Sequence, residues 1–241
     1  MLIIGRRELA LAAGIICSLA ISAAGIGIYR NTEVFEQENP ISVIVDAGHG
    51  DPDGGAVGVN GTLEKDINLD IALKLREVLE GKDMNVVMTR MGDRCLADEG
   101  DETLREMKRS DMKKRAAIMQ NSGADLFVSI HMNSYSNGSA QGLHIFYAKN
   151  HPEIQPMAEK IQERIAAVTN AQTHTVKTAD ESLFLMKSPP IPAILAECGF
   201  LSNAVEERKL NDDDYRSRIA WAIAEGIEEY FQENQQETPG K

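Results

Sequence analysis

Two periods alternate in the apolar positions of this chain. Short β-branched runs, where successive residues are apolar, are separated by stretches in which apolar residues recur every three or four positions. Ser42 to Val45 reads as a buried strand, stopped by Asp46. Met84–Thr89, Leu126–Ile130, Gly142–Tyr147, Leu183–Met186 and Ala193–Ala196 read as further strands. Between them, Asp66–Glu80 places Ile67, Ile71, Leu75, Val78 and Leu79 on one helical face, with Gly81 as the stop. Leu104–Gln120 is a second helix, closed by Gly123, and Pro152 opens a third with the stripe Ile154, Met157, Ala158, Ile161, Ile165 and Val168. Asp212 to Asp214 begin a last helix that turns Tyr215, Ile219, Ala222, Ile223, Gly226, Ile227 and Tyr230 inward. Strands that alternate with amphipathic helices predict an α/β fold.

The polar residues that interrupt this pattern fall at strand ends, where α/β sheets place their chemistry. After Asp46 comes a glycine-rich loop, Gly48 to Gly55, which holds His49. No GK[ST] follows it, and Asp51 and Asp53 would repel phosphate, so it does not read as a phosphate cradle. Leu126–Ile130 delivers His131 in the same setting, and Ala193–Ala196 delivers Glu197, an acidic residue that is costly there unless paired or at work. Glu64 lies just before the first helix, where a carboxylate also has a purely electrostatic reason to be. Two histidines and a carboxylate make a three-ligand set, His49, Glu64 and His131, which leaves one position of a zinc ion open for water. The sequence separations are too long for a local motif, so the shared strand-end placement carries the case for convergence. His144, inside a strand, reads as a packing or surface residue, and His151 and His174 receive no role. The helix Leu104–Gln120 is loaded with Arg105, Lys108, Arg109, Lys113, Lys114 and Arg115. Most of that is a solvated face, with a grip on an anionic glycan as the functional alternative.

Composition narrows the partners. With 241 residues, 43% hydrophobic, the chain suffices for one domain of about 200 residues with a proper core. A net charge of -12 and a single basic cluster give little support for nucleic acid as a partner. Cys17, Cys95 and Cys198 are too scattered for a disulfide framework or a CxxC knuckle, so any metal would take nitrogen and oxygen ligands. Leu9 to Tyr29 is free of charge, long enough to span a bilayer, and preceded by Arg6 and Arg7. An uncleaved anchor is favoured over a signal peptide, although Ala23-Ala24-Gly25 leaves cleavage open. The expected organisation is an anchor or signal segment over 1–30, a linker over 31–40, an extracytoplasmic catalytic body over 41–232 and a flexible tail over 233–241.

DAGHGDPDGGAVG, GTLEKDINL, Thr89-Arg90, ADLFVSIHMN and PAILAECGFLSN occur in this order between Ile41 and about Phe231. They resemble the successive motifs of the zinc-dependent N-acetylmuramoyl-L-alanine amidases of the amidase_3 type. The resemblance implies a twisted, mostly parallel sheet flanked by helices on both faces, zinc on His49, Glu64 and His131, and Glu197 as the catalytic glutamate. It implies peptidoglycan glycan strands with stem peptides as the substrate, cut by metal-assisted amide hydrolysis with Glu197 as general base. Within the family, the amino-terminal apolar segment, the absence of wall-binding repeats and the insertion between Arg90 and Arg115 look most like the germination-specific type of spore formers. The family pattern departs at Thr173–Thr178, where many relatives carry an Arg-Gly pair. A zinc peptidase and an inactive peptidoglycan-binding module are the rival readings. Cys198, next to Glu197, is expected on the opposite strand face as buried packing.

Overall fold

A computed structural model describes residues 40–236. One sheet contains β1 Ser42–Ala47, β2 Asn85–Met88, β3 Leu126–Asn133, β4 His144–Tyr147, β5 Lys177–Thr178 and β6 Ala193–Phe200, in the order β2-β1-β3-β6-β4-β5. β2, β1, β3 and β6 run parallel, whereas β4 is antiparallel to β6 and β5 runs with β4. The helices are α1 Glu64–Glu80, α2 Leu104–Asn121, α3 Gln155–Thr169, α4 Ala204–Leu210 and α5 Asp213–Gln236. This is the expected α/β fold with a mostly parallel sheet. The chain passes from β1 through α1 to β2, then through α2 to β3 on the other side of β1, so the winding reverses between β1 and β3. A crevice opens beyond the carboxyl ends of strands at such a reversal.

Strand alternation sorts the side chains onto two faces. Val43, Val45 and Ala47 of β1, Val128 and Ile130 of β3, and Ile194, Ala196 and Cys198 of β6 join one large core with α1, α3 and α5. Ile71, Leu75, Ile161, Ile165, Ile219 and Ile223 cover it and are fully buried. Each such side chain stabilises the fold by about 1.5–3 kcal/mol relative to exposure. The opposite face has a smaller core, in which Ile44, Phe127, Ala193 and Leu195 meet Met119 of α2 and Met186. Alternation leaves Asp46, Ser129, His131 and Glu197 on this second face. Cys198 is on the first, where burial pushes its thiol up, in agreement with its reading as packing.

Several details differ from the sequence reading, among them the two-residue strand β5, which is too short to show a period. Leu183–Met186 is not a strand: Phe184–Met186 forms a 3-10 turn. The Asp180 carboxylate accepts from Ser182 N–H (2.8 Å) and its carbonyl from Leu183 N–H (3.0 Å), which curls the chain and buries Met186. Helix α4 was not foreseen, because seven residues are too short for a period, although Asn203 caps it by accepting from Val205 N–H (2.9 Å). His131 and Glu197 are held inside their strands, which continue to Asn133 and Phe200, and Glu64 is the first residue of α1. Finally, α5 continues to Gln236, beyond the expected fraying point at Gln232. The apolar run Leu9–Tyr29, nearly all of the linker and the last five residues lie outside the described residues. Among the described residues no helix is long and apolar enough to cross a membrane.

Candidate metal centre

The glycine-rich loop builds the site by capping α1. The first helical N–H groups, of Glu64 and Lys65, donate to Ala56 O (3.0 Å) and Gly54 O (3.2 Å), acceptors that a helix start otherwise lacks. The buried Glu64 carboxylate then accepts from Ala56 N–H at Oε2 (2.8 Å) and from Met132 N–H at Oε1 (3.1 Å), tying the loop to β3. His49 adopts φ 61° and donates from Nδ1 to Asp53 Oδ2 (2.9 Å), which leaves Nε2 3.2 Å from Glu64 Oε1. His131 Nδ1 lies 2.9 Å from the same oxygen. Two glycines are needed where the loop presses on these groups. A Cβ on Gly48 would lie 2.3 Å from His131 Nε2, and one on Gly55, at φ 67°, would lie 2.5 Å from Glu64 Oε2.

His49, Glu64 and His131 each offer a ligand atom within 4.8 Å of the other two. A tetrahedral ion with bonds of about 2.0–2.2 Å keeps its ligands about 3.4 Å apart, so the set fits a metal held by nitrogen and oxygen. Burial opposes charge on His49, but Asp53 and Glu64 overcome it and raise the imidazole to about 9. Against the same burial, Glu64 raises His131, and the two rings hold Glu64 well below the carboxylate range. An entering cation would displace the ring protons. Glu197 pairs in register with His131, so both side chains lie on one sheet face. Its Oε2 is buried with no hydrogen-bond partner, and burial pushes the group up to about 7, with His131 pulling the other way.

Sequence reasoning missed the charged groups behind this set. Arg115, read as part of a solvated face, is fully buried. It donates to Asp46 Oδ1 (2.5 Å), Asp111 Oδ2 (2.9 Å), Ala47 O (2.8 Å) and His49 O (2.6 Å). Arg90 donates to Ala47 O (2.9 Å), Gly48 O (2.9 Å) and Lys65 O (2.8 Å). The carbonyls of residues 47–49 therefore all accept from a guanidinium, which fixes the loop that presents His49. Asp46 also accepts from the hydroxyls of Thr89 (2.7 Å) and Ser129 (2.6 Å). The available signals were an aspartate inside an apolar strand and an i, i+4 pair, Asp111 and Arg115.

A cavity of about 360 Å³ opens from His49, His131 and Glu197 between α2 and the 3-10 turn. Met112, Leu183, Leu185 and Met186 form apolar walls, and Lys108, at the rim, donates to Asp53 Oδ1 (2.8 Å). His144, His151 and His174 stay outside the ligand set. His144 packs against His174 with the rings tilted by 46° and centroids 4.0 Å apart, and His151 bonds Glu153 (2.9 Å).

Residues 43–229 match a family model described as Amidase_3, N-acetylmuramoyl-L-alanine amidase. The germination-specific N-acetylmuramoyl-L-alanine amidase of Bacillus subtilis (strain 168) is 35% identical over 191 residues, 79% of this chain and 80% of that protein. The CwlD amidase from Clostridioides difficile, solved in complex with the GerS lipoprotein, superposes with a TM-score of 0.77 at 40% identity, over 80% of this chain and 98% of that one. The catalytic domain of CwlV, an amidase from Bacillus (Paenibacillus) polymyxa var. colistinus, does so at 0.69 and 32% identity, over 80% and 98%. With fold, motif order and relatives in agreement across nearly all the described residues, this chain belongs to the Amidase_3 family of N-acetylmuramoyl-L-alanine amidases.

Proposed function

We propose that this amidase cuts the bond between N-acetylmuramic acid and L-alanine in peptidoglycan with a zinc ion held by His49, Glu64 and His131, and with Glu197 as general base. The observation that carries this reading is the convergence of three ligand atoms within 4.8 Å beside a buried carboxylate oxygen that has no partner. Zinc, when bound, supplies Lewis acidity toward the amide carbonyl and the attacking water. Asp53 keeps His49 protonated at Nδ1, so that Nε2 is presented as the ligand. Glu197 Oε2 accepts the proton of water and returns it to the departing L-alanine nitrogen. The apolar walls formed by Met112, Leu183 and Leu185 suit the methyl groups that flank this amide.

The same reading places the body outside the cytoplasm, tethered by Leu9–Tyr29, with 41–232 as the catalytic part. Similarity to the germination-specific amidase supports a role in spore cortex maturation, and the GerS complex of the C. difficile relative supports a lipoprotein partner. The purified chain, given intact peptidoglycan and a free stem peptide, should release alanyl amino ends from the first alone, and a chelator should stop it. Cleavage of the stem peptide alone would favour a peptidase, and cleavage of neither a binding module.

A further inference from the structure

Helix α2 carries Arg105, Arg109 and Lys113 at successive i, i+4 positions, one stripe along its surface. All three are exposed, and no carboxylate lies within ion-pair distance of any of them among the described residues. Lys74, Lys82, Lys160 and Arg164 are paired with carboxylates, whereas Arg94, Lys149, Lys177, Arg208, Lys209 and Arg218 are exposed and without such a partner among the described residues, so what sets the three apart is their alignment and their place. The stripe also has a defined place. Arg109 and Lys113 directly follow Lys108 and Met112, which line the cavity, and so sit roughly 100° further around the helix, on the cavity's shoulder. The cavity lining sets Asp46, Asp53, Asp111 and Glu197 beside Lys108, His49 and His131, with Asp53 paired to Lys108 and His49. Arg105, Arg109 and Lys113 are not part of that lining, so the stripe flanks the reaction centre without entering it.

The substrate of the proposed reaction is charged on one side only. The lactyl carboxyl of muramic acid is consumed in the amide, which leaves the glycan around it neutral, whereas the stem peptide beyond L-alanine carries free carboxylates. We propose that Arg105, Arg109 and Lys113 bind the stem-peptide carboxylates, so that the peptide runs along α2 and the glycan lies on the opposite side of the cavity. This inference rests on the amidase reading and adds the orientation of the substrate. A merely solvated stripe would show no preference for substrate charge.

The test is a full-length chain with Arg105→Gln, Arg109→Gln and Lys113→Gln, since glutamine keeps helix propensity while removing charge. Its kinetics would be compared with the parent on two soluble muropeptides, one with free stem carboxylates and one with them amidated. Exposed ion pairs each change affinity by roughly 1.4- to 5-fold, so the triple variant should raise KM about tenfold on the acidic muropeptide, with the loss in KM and not in kcat. On the amidated muropeptide the two proteins should have the same KM, and high salt should erase the difference on the acidic one. An unchanged KM on the acidic muropeptide, or equal losses on both, would overturn the orientation. So would loss of binding to anionic phospholipid vesicles with muropeptide KM untouched, which would assign the stripe to a membrane surface. If the parent cut neither muropeptide, the amidase reading would fail, and calorimetric binding of the same two compounds to both proteins would still decide the orientation.

Discussion

The two faces of the sheet are made from alternate residues of the same strands, and they differ completely in character. On the face covered by α1, α3 and α5, β1, β3 and β6 present an unbroken apolar surface that ends in Cys198. On the face toward α2 and the 3-10 turn they present Asp46, Ser129, His131 and Glu197. Inner strands of a parallel sheet are ordinarily apolar on both faces, so each of these polar residues needs a partner. Asp46 and Ser129 share the Arg115 network, and His131 bonds Glu64. Only Glu197 keeps a buried oxygen, Oε2, without one. The contrast separates groups whose bonds hold the site together from the one proposed here as the general base.

The largest effect should come from breaking the contrast at Glu197. Glu197→Gln keeps shape but removes the basic oxygen, and turnover should fall roughly 10²–10⁴-fold while zinc content and Tm stay parental. Near-parental turnover in a folded, zinc-loaded variant would contradict the role. Next comes Asp46, whose carboxyl is held below the usual range by Arg115, Ser129 and Thr89 against the opposing effect of burial. A lowered carboxylate stabilises the fold above its unfolded pKa of about 3.9, and that stability is lost as pH falls through the lower folded value. Asp46→Asn should therefore lower stability at neutral pH by about 3–5 kcal/mol, since Arg115 loses a buried counter-ion. Thermal melts against pH should show a flatter acid limb than the parent, and an identical limb would exclude Asp46 as its source. A smaller loss is expected at Asp53, where Asp53→Asn should weaken zinc binding about 10–100-fold with the fold intact. Competition against a fluorescent chelator reads this directly, and unchanged affinity would mean that His49 is oriented without Asp53. Smallest of all, Cys198→Ala, one residue from Glu197 but on the sealed face, should cost roughly 1 kcal/mol in stability and leave turnover per folded molecule unaltered.

The sealed face was the part most legible in the sequence. Its residues follow periods of two and 3.6, which is why β1, β3, β6 and the inward stripes of α1, α3 and α5 could be placed. His49, His131 and Glu197 were legible because a polar residue breaks each strand's apolar run. The rest depended on contacts between distant segments, which no period encodes. Arg115 has the spacing of a surface cation, and its burial depends on Asp46, 69 positions away, which joins Asp111 as its counter-ion. Glu64 looked like a helix-dipole carboxylate until its two acceptor bonds, to Ala56 N–H and Met132 N–H, fixed it between loop and strand. The 3-10 turn at Phe184–Met186 carried an apolar run of strand type, and its curl comes from the bonds that Asp180 makes.

The proposed reaction rests on zinc being held by His49, Glu64 and His131, and metal content tests that most directly. The full-length chain should retain one zinc ion per chain after exhaustive dialysis, and His131→Ala, folded by circular dichroism, should retain none, since two ligands hold a catalytic zinc poorly. A folded His131→Ala protein that still carries one zinc ion per chain would contradict the ligand set.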